Sequence, residues 1–575
     1  MKKRILSYSL SVLMVALATT SCTEQLEKLQ NPNAPTLIGN INNEAGLINL
    51  FKGATWIDGF VYQMGWLGDS YFSLPYSYAE LNADVIGAQS SNQNISNINL
   101  PISVTPTGGG PAFFTNSTPQ TQLIRTFNTR AFTGAGENVT YYQWSGMYTL
   151  NNSMNWLLPL IPTIHFTGNA ADKKNTYKAW CYFWKGYAYA AIGSQYCAGL
   201  IFDKYKTDNN AFTTNNNYVT QDVVIAQSNL YYDSAAATIQ TISNTDNASG
   251  SPADYYNVLS QLIPAFFQVG QGQVPSGAEW RRTINTMKAR NILVNKLAPY
   301  VNGSSSATIS NALIPAMTAA DWAAILTLCD GGNGIQQGDN CFTGRSTTLN
   351  PIYTTLGGTT SALTIGPTES NTFQITERFV QNYKPGDARF TNNFPVEPDV
   401  WSNGIFSVRY RVEPNGLGAP GVVNYGSFND GAYQLYMVSS YEENALMIAE
   451  AKIQTGDIDG GLAIVDQIRT YQGAGIAAVS GTGLTKDQAL GELTRERRVA
   501  LLFRGVSYYD SRRWGWTYSI ASGGGGYNLN YLDDNDVIQT GTFDYSFMDY
   551  WDVPADEIVL NPPSGSSAPV KNPKF

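Results

Sequence analysis

Histidine is almost absent from this chain: His165 is the only one in 575 residues. That count leaves nothing for a histidine-rich zinc site and argues against a serine-protease triad. His165 follows Pro162-Thr163-Ile164 at an expected helix end, where a lone histidine reads as a capping or surface residue. Charge is scarce too. Asp, Glu, Lys and Arg make up 14% of the residues, against about 25% in an average soluble domain. The 44 acidic side chains outnumber the 35 basic ones, for a net charge of -9. Such a balance argues against nucleic acid, which is met by clustered Lys and Arg. Beyond the N-terminal region, every long apolar run is broken by Lys, Asn, Pro or Gly, so no later segment reads as a membrane span.

Cysteine is also sparse, at five residues. Cys22 follows a cationic start, Met1-Lys2-Lys3-Arg4, and a weakly polar to apolar stretch from Ile5 to Ala18. The stretch is shorter than the ~20 residues needed to cross a bilayer, and its order is that of a secretory signal. Thr19-Thr20-Ser21-Cys22 resembles a bacterial lipobox, with Thr19 where leucine is usual. Residues 1–21 are therefore expected to be a lipoprotein signal peptide, and Cys22 the lipidated residue. Residues 22–40, marked by Asn31-Pro32-Asn33-Ala34-Pro35, read as a tether. In an exported chain Cys329 and Cys341 have two level readings. They flank the flexible run Asp330-Gly331-Gly332-Asn333-Gly334, so they form a disulfide or stay as two free thiols. Cys181 and Cys197 share one helical pattern about 24 Å apart along its axis, and cannot bond unless the helix breaks, for instance at Gly193.

What the chain has in abundance is rings and small polar residues. There are 35 Tyr and 12 Trp, side chains with an apolar face and a polar tip. Helical periodicity predicts helices over Tyr141 to Leu158, Lys173 to Gln195, Asp222 to Ile242 and Glu279 to Leu297. Further on, Ser440-Tyr441-Glu442-Glu443 has the spacing of a capping box, Gly456 is placed to stop that helix, and a second helix follows from about Gly461. This helix–turn–helix resembles a tetratricopeptide hairpin. Thr485-Lys486-Asp487-Gln488 opens a third helix with a second capping box. Residues 83–140 and about 340–431 lack helical period and are rich in Ser, Thr, Asn, Gly and Pro, as functional loops are.

Several C-terminal segments then occur together in one order. They are Ser440 to Ala451, Arg495-Glu496-Arg497-Arg498 running to Phe503-Arg504-Gly505, Tyr508-Tyr509-Asp510-Ser511-Arg512-Arg513-Trp514-Gly515, and Val553-Pro554-Ala555-Asp556 running to Pro562. With Asp387-Ala388-Arg389 and the closing Lys571-Asn572-Pro573, the set resembles the SusD/RagB family of outer-membrane lipoproteins. It departs from the family pattern at Arg504, where Glu is commoner, and at Cys197-Ala198-Gly199-Leu200, where Gly-Asp-Val-Pro is usual. The resemblance implies a mainly α fold, with a tetratricopeptide-type helix-pair scaffold, long irregular loops and short strands. Residues 41–575 would then be one domain, with 83–140 and 340–431 inserted on the ligand side. It further implies a non-enzymatic, lipid-anchored protein of the outer membrane at the cell surface. Such a protein captures a glycan and passes it to a SusC-type TonB-dependent transporter. A peptide-binding relative of the same scaffold is the alternative, and a tethered glycoside hydrolase is the alternative of another class.

Candidate ligand residues come from ring chemistry, not from a family motif. A sugar presents C–H faces that pack on flat rings, and rigid rings lose little entropy on binding. Within the aromatic segment Trp56 to Tyr78, Trp66, Tyr71 and Tyr76 lie beside Gly and Pro. Trp280, Trp322 and Trp401 lie near the irregular region; Trp322 follows a helix start at Thr318-Ala319-Ala320-Asp321, so core packing is its competing role. The run Arg495 to Arg498, interleaved with Glu492 and Glu496, reads as a salt-bridged helix surface. Asp510, Arg512, Arg513 and Trp514 read as a buried or interface network. Adjacent carboxylates such as Glu442/Glu443 and Asp556/Glu557 diverge on a helix and do not form a glycosidase pair. No cofactor is expected. Calcium is retained as a candidate ion for Asp533-Asp534-Asn535-Asp536 and Asp330 to Asp339, neither of which has EF-hand spacing.

Overall fold

The computed structural model describes residues 43–57, 78–88, 98–129, 138–203, 215–246, 253–300, 308–345, 373–402, 404–413, 415–420, 425 and 434–575. The signal, Cys22 and the tether lie outside the described residues, as do Trp66, Tyr71 and Tyr76. The scaffold is a row of helices in which chain neighbours pack side by side. They are α1 (Tyr141–Leu157), α2 (Ala170–Gln195), α3 (Gln221–Gln240), α4 (Gly277–Val294), α5 (Ala319–Cys329), α6 (Tyr441–Thr455), α7 (Ile458–Tyr471), α8 (Lys486–Ala500) and α9 (Ser507–Arg513). The short strands lie outside this row, so the mainly α, tetratricopeptide-type reading holds.

Local chemistry explains the boundaries. Asn169 caps α2 by accepting from the Asp172 N–H at 3.2 Å. Full capping boxes open α4 (Ser276 with Glu279), α5 (Thr318 with Asp321) and α8 (Thr485 with Gln488). Gly456 ends α6 in the left-handed region at φ 105°, which a residue without Cβ adopts cheaply. The Ser440 box is only half made. Its hydroxyl accepts from the Glu443 N–H, but the Glu443 carboxylate turns to Arg290 and the Ser439 hydroxyl. A charge-assisted bidentate bond outcompetes a backbone N–H.

Helix α2 is buried on almost every face, which is why its polar and apolar residues form no clear stripe. It runs unbroken through Gly193, where a Cβ would come within 2.9 Å of Ile225 on α3. The glycine lets two helices approach and does not mark a break. Cys181 and Cys197 are both free and buried. The optional Cys329–Cys341 disulfide is also absent: both thiols are free. Cys329 packs with Trp322 and Ile325, and Cys341 packs with the main core beside Phe342, so each side chain is drawn into a different apolar cluster.

The segment 83–140 is more regular than its composition suggests. It contains a helix, Gln120–Phe127, and strands β1 (Ser103–Pro106) and β2 (Phe114–Thr115). These join β3 (Gly526–Leu532) and β4 (Ile538–Asp544) in the order β3-β4-β1-β2. Val104, Phe543, Tyr545 and Phe547 cover one side of this sheet with Ile405 and Phe406. Arg125, on the Gln120–Phe127 helix, clamps the far end of the chain. It donates to Asp552 at 2.8 Å and to the Asn572 and Phe575 carbonyls at 3.0 and 2.7 Å.

Candidate functional site

Two of the rings proposed from sequence are core residues. Trp280 is fully buried, with the rings of Trp180, Phe183 and Phe342 at 6.3, 5.7 and 5.5 Å. Trp322 packs with Ile325, Met447 and Ile448 in a separate cluster. Neither offers a face to a ligand, because α4 and α5 turn these rings into the scaffold. Trp401, at the end of the strand Val396–Trp401, keeps a partly exposed ring against Ile405 and Phe406. The structure therefore does not gather these three into one platform.

The arginine-rich run is more buried than a salt-bridged surface. Arg495 is half-exposed, but Glu496, Arg497 and Arg498 are enclosed. Arg497 donates to Asp510 at 3.0 Å, Arg513 to Glu450 at 2.6 and 2.7 Å, and Arg389 to Glu496 at 2.6 Å. Asp510, Arg512, Arg513 and Trp514 form a buried network, as read from sequence. Glu442 pairs with Arg504 and Glu443 with Arg290, so the two carboxylates that adjoin in sequence are committed to different arginines. The Arg504 guanidinium also lies 3.9 Å from the Tyr436 ring, which gives this departure from the family pattern a partner on either side. Glu80 is the carboxyl with the most unusual environment. Burial pushes it up to about 7, against the opposing pull of the Ser507 hydroxyl and the Gly505 N–H, which donate to it at 2.7 and 3.3 Å. It is enclosed.

In the aspartate-rich loops, Asp533 and Asp339 spend their oxygens internally. Asp533 accepts from the Asn535 and Val537 N–H groups and the Gln539 amide, closing the β3–β4 turn. Asp339 holds Arg282 at 2.6 Å. Among the described residues no group of three or more His, Cys, Asp or Glu is arranged to hold a metal. His165 is exposed, just past a 3-10 turn that ends at Thr163.

A cavity lies between α2, α4 and the segment 504–509, with residues 78–82, Gln143 and Trp551 closing it. Its volume is about 80 Å³, small beside the usual drug-sized ligand site. Tyr187, Tyr509 and Trp551 supply rings, Gln143 and Gln195 supply amides, and Met287 and Val294 supply apolar surface. Two of its lining residues, Tyr78 and Trp551, carry a hydroxyl and an indole N–H that are enclosed in the protein with no hydrogen-bond partner. Tyr78 falls at the end of the aromatic segment singled out from sequence. Gln143, Tyr187, Tyr509 and Trp551 were not legible there, because residues so far apart in the chain share no period and no motif.

Comparison with known proteins bears on these features. A family model described as the SusD family matches residues 302–564. A crystal structure of a SusD superfamily protein from Bacteroides thetaiotaomicron has a TM-score of 0.50 and 13% identity, covering 90% of this chain and 96% of its own. A second crystal structure, with xylogluco-oligosaccharide, has a TM-score of 0.52 and 12% identity, covering 90% and 99%. At these identities the likeness establishes the fold. A search of curated proteins gives no match.

Proposed function

The chain belongs to the SusD family through residues 302–564, and on that premise we propose that it is a cell-surface glycan-binding protein that delivers its ligand to a TonB-dependent transporter. Members of the family are binding proteins and not enzymes. The observation that carries the reading is the family match over the very helices whose arginine and carboxylate side chains are locked into the scaffold. Those side chains build a frame and leave capture to rings and amides. The relative with xylogluco-oligosaccharide supports a sugar as the ligand class. No helix among the described residues is long and apolar enough to cross a membrane. The proposal attaches the protein through a lipid on Cys22. The reading includes residues 1–21 as signal, 22–40 as tether and 41–575 as one domain. It places the segments 83–140 and 340–431 on the ligand side and keeps Trp66, Tyr71, Tyr76 and Trp401 as candidate contacts.

Calorimetry with a panel of neutral oligosaccharides and short peptides tests this. We expect binding to at least one glycan class with no product formed. Binding to peptides and to no glycan would overturn the ligand class. Recovery of a large barrel protein with the tagged chain in mild detergent is the expected outcome for the partner, and its absence would count against delivery.

A further inference from the structure

Resting on the glycan reading above, we propose that the cleft between residues 381–385, the loop at 476–477 and Arg495 is a subsite for an acidic sugar, in which Lys384 and Arg495 take the carboxylate of a uronic acid. The cleft has a volume of about 360 Å³, within the range of ligand sites. It shares no lining residue with the smaller cavity beside α2. Its walls are fixed by neighbours. The Gln381 amide accepts from the Asn530 N–H at 2.6 Å and donates to the Asn528 carbonyl at 3.2 Å, which ties it to β3. The Tyr383 ring lies 5.7, 5.5 and 5.6 Å from those of Phe379, Phe390 and Phe394. The Ala388 N–H donates to the Ala474 carbonyl at 2.8 Å, which joins the loop after α7 to the segment after Pro385. Walls already in place cost little ordering when a ligand arrives.

Charge along this cleft is unevenly shared. Lys384, Arg469 and Arg495 all turn to one carboxylate, Glu492, at 2.7, 2.7 and 3.1 Å. Burial alone would raise the Glu492 carboxyl, yet Lys384 and Arg469 hold it below its usual range. The neighbouring carboxylates are committed elsewhere: Glu496 to Arg389 and Arg469, Asp387 to Arg389, and Asp466 to the Val479 and Ser480 N–H groups. Arg469 is buried, whereas the Lys384 and Arg495 side chains are 26% and 39% exposed. Arg495 gives Glu492 one nitrogen, Nη1. Its Nε and Nη2 make no hydrogen bond among the described residues and, unlike the enclosed unpaired nitrogens of Arg469 and Arg497, reach the surface. That planar edge matches the two oxygens of a carboxylate. The chain carries a net charge of -9, so an acidic glycan is repelled by the protein as a whole and is held only where cations are gathered. Tyr383, Ile476 and Ala477 line the same cleft and offer surface to the C–H face of the sugar.

The test compares one sugar backbone with and without its charge. Calorimetry of the full chain uses oligogalacturonides and glucuronic-acid-substituted xylo-oligosaccharides, each as free acid and as methyl ester. At least one free acid should bind about five- to tenfold more tightly than its ester, the worth of one charge-assisted contact at a half-exposed position. Lys384→Gln combined with Arg495→Gln should bring that ratio to about one. The melting temperature of this double variant should stay near that of the parent, because partly exposed ion pairs contribute little to stability. Arg495→Lys keeps the charge but not the planar edge, and its ratio should fall between the two. Acid and ester bound alike by the parent chain, or a preference for the acid that survives in the double variant, overturns the subsite while the glycan reading stands. A parent chain that binds no oligosaccharide, acidic or neutral, overturns both.

Discussion

The two halves of the helix row are held together by different physics. Around α2 and α4 the interior is rings: Trp180, Phe183, Trp184, Trp280 and Phe342 contact one another edge to face or tilted. Around α6, α8 and α9 the interior is ions: Arg513 with Glu450 and Asp510, Arg497 with Asp510, Arg389 and Arg469 with Glu496. Ring packing is favourable in many arrangements, so it stabilises without fixing a register tightly. A guanidinium–carboxylate fork is favourable in one geometry and costly in any other. The ionic half defines the frame, and the aromatic half fills it. The cavity sits on the seam, with a wall from each.

The largest expected effect separates these two kinds of interior. Glu450→Ala leaves the buried Arg513 guanidinium with Asp510 alone, a carboxylate it shares with Arg497, and should cost about 3–5 kcal/mol in chemical denaturation. Trp280→Ala should cost about as much by leaving a cavity. The halves diverge on repair. Glu450→Leu combined with Arg513→Met should recover most of the ionic loss, since an apolar pair replaces a buried ion pair well. Trp280→Phe should recover only part of the aromatic one. Equal repair in both would erase the distinction.

A smaller effect tests the seam by pH. The Glu80 carboxyl is raised by burial from 4.5 to about 7 in the folded protein. Between those values the folded state holds a proton that the unfolded state has lost. Its contribution is thus fully present below the unfolded value, declines as pH rises, and is gone above about 7. Glu80→Gln cannot ionise. Its stability relative to the parent should therefore rise by about 2–3 kcal/mol between pH 5 and pH 8. A pH-independent difference between the two would show that Glu80 does not titrate there. The smallest effect concerns a surface device: Thr485→Ala, which removes the cap of α8, should cost about 1 kcal/mol.

The aromatic half was legible from sequence as helices but not as contacts. Periodicity places α1 to α4 within a few residues of their observed ends, because a helix repeats its own pattern. Which rings meet depends on packing between helices, so Trp280 looks like a candidate platform until α2 is laid beside it. The ionic half was legible as a motif, but its depth was not: Glu496, Arg497 and Arg498 have the spacing of a solvated helix face and are buried instead. The Ser440 box shows the same limit, since nothing local says that Arg290 will claim Glu443. The cavity was least legible of all, being assembled from six separate segments.

The clamp at Arg125 has a kinetic consequence. Its partners Asp552 and Asn572 stand 427 and 447 residues further along the chain. A contact so distant forms only after nearly all of the intervening chain exists and has begun to arrange itself. The strands β1 and β4 pair across a comparable gap. While synthesis is still under way, the helix Gln120–Phe127 and β1 have no finished structure to join. Closure of the protein is thus a late event, completed only when the last segments of the chain meet the helix Gln120–Phe127 and β1.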